Sequence, residues 1–253
     1  MADTTTTLTA TRPRPDTARP DAGTPGADGP DADGAGSAST VAAASARVGD
    51  PVALGAVSPA AHLTEAFTAA AVSGDRGVTL REVPFVTMVA VQVARGSDVA
   101  AGVEQALGLP LPERCGQVSA GDGASVLWFG PGEFLVVADG FAPELPPRLV
   151  APVEGLAGAV VDVSANRTTL ELSGPSARLV LEKGCPADLH PRSFPVGTAI
   201  LTRVGSVNVA LWRVADDTWR LLPRSSFADH LGRWLVDAMG EFGARRPGAG
   251  GSS

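Results

Sequence analysis

The sequence of 253 residues contains no tyrosine, two cysteines and three histidines. Without tyrosine, any mechanism that requires a phenol is excluded. The two cysteines, Cys115 and Cys185, lie far apart, so their spacing indicates neither a disulfide framework nor a C-x-x-C metal site. A pairing between them stays open, and a reducing cytoplasm is the expected location. The histidines His62, His190 and His230 do not stand at ligand spacing, so we expect no transition-metal site.

Long apolar runs and an excess of positive charge are also missing. No apolar run is long enough to span a bilayer, and the N-terminus lacks the basic start and apolar core of a secretory signal. The chain has 20 basic and 27 acidic residues, a net charge of −7, and a single lysine, Lys183. Phosphate backbones attract basic surfaces, so nucleic acid is not expected as a main partner.

Large apolar side chains are scarce in residues 1–57, which are rich in Ala, Thr, Asp, Pro and Gly. Such a segment cannot bury enough surface to offset its ordering entropy, so it is predicted to be a disordered tail. Residues 243–253 form a second, short tail by the same criterion. The predicted folded body is therefore 58–242.

Periodicity and turn residues predict an α+β body. Helices are expected at residues 59–71 with Ser58 as N-cap, and at 97–107, 143–156, 175–183 and 226–241, where Ser226 and Asp229 resemble a capping pair. The apolar face of the last helix is expected to run from Phe227 to Phe242. Strands are expected at residues 78–93 with a break at Pro84, and at 125–129, 133–138, from 161, 168–172, 199–204, 207–214 and 218–222.

The order of elements repeats, which predicts two related halves at about 78–157 and 158–242. In both halves a Leu-Trp pair, ending at Trp128 and at Trp212, is followed after a turn by a second strand and a helix. We therefore expect duplicated strand–helix–strand–strand–helix units that share one core, with helices packed on antiparallel sheet. The repeat-related positions of Trp128 and Trp212 favour core packing over an interface, whereas Trp219 and Trp234 are compatible with either role.

The stretch 161–194 collects an acid, serines, a cysteine and a histidine, and so suggests catalysis. Cys185 and His190 stand on a loop stiffened by prolines, and a lone cysteine after a helix stop is usually a small buried hydrophobe. A triad of Ser164, His190 and Asp162 has no G-x-S-x-G elbow around its serine. Asp162 is more simply a loop acid that accepts local hydrogen bonds, with Arg167 nearby as a counter-charge; a carboxylate aimed into an amine or pterin pocket is the alternative.

Cofactor signatures are not found in the sequence. Neither G-x-G-x-x-G nor G-x-x-x-x-G-K-[ST] occurs, and Gly174-Pro175 is more simply a helix start than a phosphate cradle. On residues alone, we expect no catalytic, cofactor-binding or metal-binding residue in this chain.

Several ordered segments resemble the gamma subunit of heterotetrameric sarcosine oxidase. They are Ser-Pro-Ala-Ala-His-Leu at 58–63, Asp-Val-Ser at 162–164, Leu-Glu-Leu-Ser-Gly-Pro-Ser-Ala-Arg at 170–178, Lys-Gly-Cys-Pro-Ala-Asp-Leu at 183–189, Phe-Pro-Val-Gly at 194–197 and Arg-Ser-Ser-Phe-Ala at 224–228. The D-x-S and S-G-P-x-A elements are also similar to the folate-binding aminomethyltransferase superfamily, whose fold agrees with the duplicated units.

The resemblance implies a non-catalytic structural subunit of a four-subunit oxidase, with alpha, beta and delta subunits as partners. Such an assembly oxidatively demethylates sarcosine to glycine, with hydrogen peroxide and a one-carbon unit that tetrahydrofolate captures. Flavins, NAD and tetrahydrofolate are expected in partner subunits, and a zinc site in the smallest. A stand-alone folate-binding aminomethyltransferase-like protein is the alternative.

Overall fold

The computed structural model describes residues 55–243. The predicted tails, apart from residues 55–57 and Gly243, lie outside the described residues. The helices are α1 (Thr64–Ala69), α2 (Asp98–Leu107), α3 (Leu145–Val150), α4 (Ala177–Glu182) and α5 (Ala228–Gly243), with single 3-10 turns at Ala61–Leu63 and Ser225–Phe227. The strands are β1 (Thr79–Val83), β2 (Met88–Val93), β3 (Val118–Gly121), β4 (Ala124–Gly130), β5 (Glu133–Ala138), β6 (Gly158–Asp162), β7 (Thr169–Ser173), β8 (Ala199–Val204), β9 (Val207–Ala215) and β10 (Thr218–Pro223).

The strands form two five-stranded antiparallel sheets of matching topology. One sheet has the order β3-β4-β5-β2-β6 and the other the order β8-β9-β10-β7-β1. The first strand of each half lies in the sheet of the other half, since β1 pairs with β7 and β6 pairs with β2. The expected α+β duplication is confirmed, and the unit is larger than predicted because each half also contributes one exchanged strand.

The predicted break at Pro84 is the point where the chain changes sheets. β1 ends at Val83 and pairs with β7, whereas β2 begins at Met88 and pairs with β5 and β6. Proline has no N–H for a ladder bond, so it suits a crossover between two sheets better than a continuous strand. The equivalent crossover of the second half runs from β6 to β7 through residues 163–168.

Three apolar clusters give the body four layers. α2 and α3 cover the outer face of the first sheet, and α1, α4 and α5 cover the outer face of the second sheet. Between them lies an inner cluster to which both sheets contribute, including Met88 and Leu135 from one sheet and Ala210 and Trp212 from the other. The two sheets therefore share the inner cluster, and each sheet also has its own cluster beneath the helices.

The two Leu-Trp pairs are out of register by one residue. Trp128 packs on the helix side of its sheet, whereas Trp212 lies in the inner cluster between the sheets. Side chains alternate between the faces of a strand, so a shift of one residue reverses the face. Phe134 and Trp219 are the in-register pair, because both are buried on the helix side. The prediction of core packing is confirmed for Trp212, which is buried, whereas Trp128 is only half-buried.

Helix boundaries agree with prediction where local signals are strong. Ser97 caps α2 by accepting a hydrogen bond from the Ala100 N–H, and Gly108 follows its end in the left-handed conformation. The expected helix at 59–71 is shorter, and Ser58 donates to Glu82 instead of capping. The helix expected at 143–156 is reduced to α3, and β3 was not predicted. Phe227, expected to begin the apolar face of the last helix, precedes α5 and is 46% exposed.

Asp229 does not form the predicted capping pair with Ser226. Its carboxylate accepts from His62 at 2.7 Å and from Arg233 at 2.9 Å, which ties the first 3-10 turn to α5. The hydrogen bond from His62, followed by that from Arg233, lowers the pKa of Asp229 below its usual range.

Replacement Asp229→Asn is expected to make the stability difference from wild type depend on pH. A lowered folded-state pKa contributes stability that is fully present above the unfolded pKa of about 4 and is lost as the pH falls through the folded pKa. Wild type should therefore exceed the variant near neutral pH, and the difference should shrink as the pH falls below about 4. Melting temperatures across this range check the prediction, and a difference that stays constant would contradict it.

Candidate functional site

The stretch 161–194 does not bring its reactive groups together. Cys185 is buried in the cluster beneath α4 and α5, with its Sγ 3.9 Å from the Thr202 hydroxyl. His190 is exposed on the following loop, where its Nδ1 accepts from the Arg192 N–H at 3.3 Å. Both cysteines are free thiols, Cys115 exposed and Cys185 buried. The interpretation of Cys185 as a small buried hydrophobe agrees with these contacts.

Asp162 and Ser164 form a local turn at the end of β6. Asp162 Oδ1 accepts from the Ser164 N–H at 2.9 Å and from its hydroxyl at 2.6 Å. Ser164 Oγ in turn accepts from the Met88 N–H at 3.0 Å, which fixes the start of the crossover against β2. The structure thus uses these two residues as a loop acid and its partner, and His190 joins neither of them through a hydrogen bond.

Arg167 is not the counter-charge of Asp162, contrary to the sequence expectation. Its guanidinium donates to the Leu222 carbonyl oxygen at 2.8 Å and lies 5.3 Å from the centre of the Phe129 ring. Burial, and then repulsion from Arg224, lower the pKa of Arg167 from its ordinary value. Arg167 therefore lies beside a second cation and an aromatic ring, and not beside the carboxylate that the sequence suggested.

The Lys-Gly-Cys-Pro segment after α4 is a tight packing point. A Cβ at Gly184 would stand 2.5 Å from the Trp234 ring and 2.8 Å from the Gly205 nitrogen, so only glycine fits there. Lys183 donates to the Ala238 carbonyl oxygen and pairs with Glu241 at 2.9 Å. These contacts dock α5 onto the end of α4.

Among residues 55–243, no group of three or more His, Cys, Asp or Glu side chains is placed to hold a metal ion. Within the same range, no helix is long and apolar enough to cross a membrane.

Two grooves share Arg167, and a shallow patch includes Phe129, whose ring lies beside the Arg167 guanidinium. The cationic groove, of about 460 Å³, lies between Arg167 and Arg224 and is bordered by Leu201 and Phe227. The apolar groove, of about 310 Å³, is lined by Val57, Phe85 and Phe141 among others and also reaches Arg167. The sheet patch lies on the inner face of the first sheet around Ala90, Phe129 and Val161. We call this surface the Arg167 face.

A comparison of equivalent positions in the two sheets shows why the sheet patch is exposed to solvent. In the second sheet, Glu171 pairs in register with Arg81 and Arg220, and its carboxylate forms ion pairs with both. In the first sheet, the equivalent row is Val161, Ala90 and Leu135. Three paired charged side chains therefore cover this position on the second sheet. On the first sheet the equivalent position is apolar and uncovered, and Val161 is 54% exposed.

Sequence reasoning did not find the Arg167 face. Its members come from both crossovers, from β4, β6 and β8, and from the turn before α5, so no local motif gathers them. The one local signal was an arginine placed within a short loop after Asp162, which the sequence interpretation assigned to charge balance.

Together these observations define a duplicated α+β protein whose reactive side chains serve local structure and whose exposed apolar and cationic groups gather on one face. The model of the "Sarcosine oxidase, gamma subunit family" matches residues 92–241. The chain belongs to this family, which confirms the resemblance inferred from its motifs.

Individual relatives agree with the family model. The chain is 50% identical over 193 residues to "Sarcosine oxidase subunit gamma" of Corynebacterium sp. (strain U-96), covering 74% of this chain and 91% of that protein. It is 49% identical over 189 residues to the protein of the same name from Arthrobacter sp., covering 73% and 90%. It matches a chain of the heterotetrameric sarcosine oxidase from Corynebacterium sp. U-96 in complex with pyrrole 2-carboxylate, with a TM-score of 0.74 and 47% identity over 76% of this chain and 99% of that one.

Proposed function

We propose that the chain is the gamma subunit of a heterotetrameric sarcosine oxidase and that its role is structural. The observation that carries this proposal is the match over 99% of a chain in a heterotetrameric sarcosine oxidase, at 47% identity. The alpha, beta and delta subunits are its proposed partners. The assembly would oxidatively demethylate sarcosine to glycine, with hydrogen peroxide and a one-carbon unit passed to tetrahydrofolate.

In this proposal the chain supplies no catalytic, cofactor-binding or metal-binding residue. The contacts of the candidate residues support this division of labour, since Asp162 is engaged in a turn and Cys185 is packed in the core. Flavins, NAD and tetrahydrofolate would bind to partner subunits, and zinc to the smallest. A cytoplasmic location is proposed because both cysteines are free thiols, as a reducing compartment favours.

Expression with and without partners tests the proposed function. The full chain expressed alone is expected to be colourless and without sarcosine oxidase activity. Expressed with alpha, beta and delta subunits of a heterotetrameric sarcosine oxidase, a tagged chain is expected to purify with them in equal amounts, and the complex should carry flavin absorbance and produce hydrogen peroxide from sarcosine.

Two results would contradict the proposal. A yellow and active preparation of this chain by itself would assign the chemistry to it. A chain that purifies free of the co-expressed subunits, while those subunits assemble and are active without it, would remove it from the assembly.

A further inference from the structure

The Arg167 face concentrates exposed apolar side chains. Among residues 55–243, nine large hydrophobic side chains are exposed, and five of them border the two grooves and the sheet patch. These five are Val57, Phe141, Val161, Leu201 and Phe227, each between 46% and 81% exposed. Single exposed hydrophobics are ordinary, whereas several that border linked grooves indicate a contact surface.

The centre of this face carries positive charge without a balancing carboxylate in the described part of the chain. Arg167 and Arg224 pair in an antiparallel bridge, and within residues 55–243 neither forms an ion pair, whereas Arg81, Arg178 and Arg233 do. Arg167 is half-buried, and both loss of water and the neighbouring cation disfavour its charged form, as its lowered pKa shows. A carboxylate placed between the two guanidiniums would offset both costs.

The backbone beneath the two arginines is held in place. The Ser225 N–H donates to the Asn166 carbonyl oxygen at 2.8 Å, and the Ser225 hydroxyl donates to the Ala165 carbonyl oxygen at 2.8 Å. The crossover that carries Arg167 is therefore bonded to the turn that carries Arg224. A site on fixed backbone needs little ordering on binding, which favours affinity.

The apolar groove adds a second kind of contact beside the charge. Phe85, which lines it, is the single non-glycine residue with a positive φ, 57°, within residues 55–243. Residues in that conformation are held there by their surroundings and occur often at binding sites. A surface that pairs arginines with aromatic and aliphatic side chains has the composition of a protein interface core.

We propose that the Arg167 face is the surface on which one partner subunit of the oxidase docks. The partner inserts an aspartate or glutamate carboxylate between Arg167 and Arg224 and packs apolar side chains against Leu201 and Phe227. Bidentate binding of a carboxylate by arginine supplies the orientation, and burial of the apolar side chains beside it excludes water from the ion pairs. This inference rests on the proposed function.

Co-expression with the alpha, beta and delta subunits tests the inference with two variants of the tagged full chain. Arg224→Glu reverses one charge of the cationic groove, and Leu201→Ser removes an apolar contact; both residues are exposed, so both variants should keep the wild-type melting temperature. Each is expected to lower the amount of co-purified partner at least about ten-fold, since truncation of central interface contacts has effects of that size. The matched control is Arg148→Glu, an exposed arginine on α3 outside both grooves and the sheet patch.

The outcomes separate the two proposals. If wild type retains its partners and both variants retain them equally, the Arg167 face is not the docking surface, although the proposed function stands. If wild type retains no partner, the proposed function fails. If Arg224→Glu alone unfolds, Leu201→Ser decides by the same criterion. Equal losses in Arg148→Glu would show a general charge effect and would also overturn the inference.

Discussion

Replacement Gly174→Ala is expected to cost about 2–5 kcal/mol of the free energy of unfolding, from about 1–2 for the backbone conformation and about 1–3 for overpacking. Gly174 has a φ of 118° at the turn from β7 into α4, where L side chains are rarely accommodated. A Cβ there would stand 2.6 Å from the Gly77 carbonyl oxygen and 3.1 Å from the Val78 Cα. These atoms belong to backbone, so no side-chain rotation relieves the contact.

The loss should spread to the exchanged strand. The Gly77 carbonyl oxygen accepts from the Ser176 N–H at 3.1 Å, which joins the start of β1 to the start of α4. A methyl group at Gly174 must move one of these segments, and with it the pairing of β1 with β7. Urea denaturation followed by circular dichroism measures the cost, with unchanged transition slope if the variant remains two-state.

Gly123→Ala is the matched control. Gly123 has a φ of 88° in the turn between β3 and β4, and its Cβ would meet nothing within 4 Å. This variant is expected to lose only the conformational part, about 1–2 kcal/mol. The difference between the two variants therefore measures the close approach at Gly174, and equal losses would contradict the argument.

Local signals account for the elements that sequence predicts well. α2 is bounded by Ser97 and Gly108, whose capping roles depend only on neighbouring residues. The hairpin of β4 and β5 follows from the glycines at its turn and the apolar strands beside it. Each signal acts over a few residues, so it can be recognised in the sequence without knowledge of the fold.

Long-range pairing accounts for what sequence did not predict. Nothing near Leu80 indicates that β1 leaves its own half to pair with β7, since that choice is made by a partner strand far along the chain. The one-residue offset between Trp128 and Trp212 has the same origin, because the side of a strand that is buried depends on which sheet and helices cover it. The Arg167 face needs both crossovers in place before its members become neighbours.

The exchanged strands predict that the two halves unfold together. Loss of the second half would remove β6 from the first sheet, and loss of the first half would remove β1 from the second sheet. The inner cluster, with residues such as Leu127 and Trp212, would also lose one of the two sheets that form it. Neither half therefore keeps a complete sheet or a complete core when the other unfolds.

Trp219→Ala and Phe134→Ala test this coupling from opposite halves. Trp219 is 1% exposed and Phe134 is 2% exposed, at in-register positions of the two helix-side clusters. Each truncation is expected to cost about 3–5 kcal/mol through lost burial and the cavity left behind. Against a total of about 5–15 kcal/mol for a typical domain, either loss is large.

Both variants should shift one shared transition to lower urea. Circular dichroism, which reports on both halves, and tryptophan fluorescence should give coincident curves in wild type and in each variant, as two-state unfolding requires. Leu179→Ala, at a 43% exposed position of α4, is the control and should stay within about 0.5 kcal/mol of wild type. A biphasic curve in which Trp219→Ala moves one phase and Phe134→Ala the other would show independent halves, and strand exchange would then not couple them.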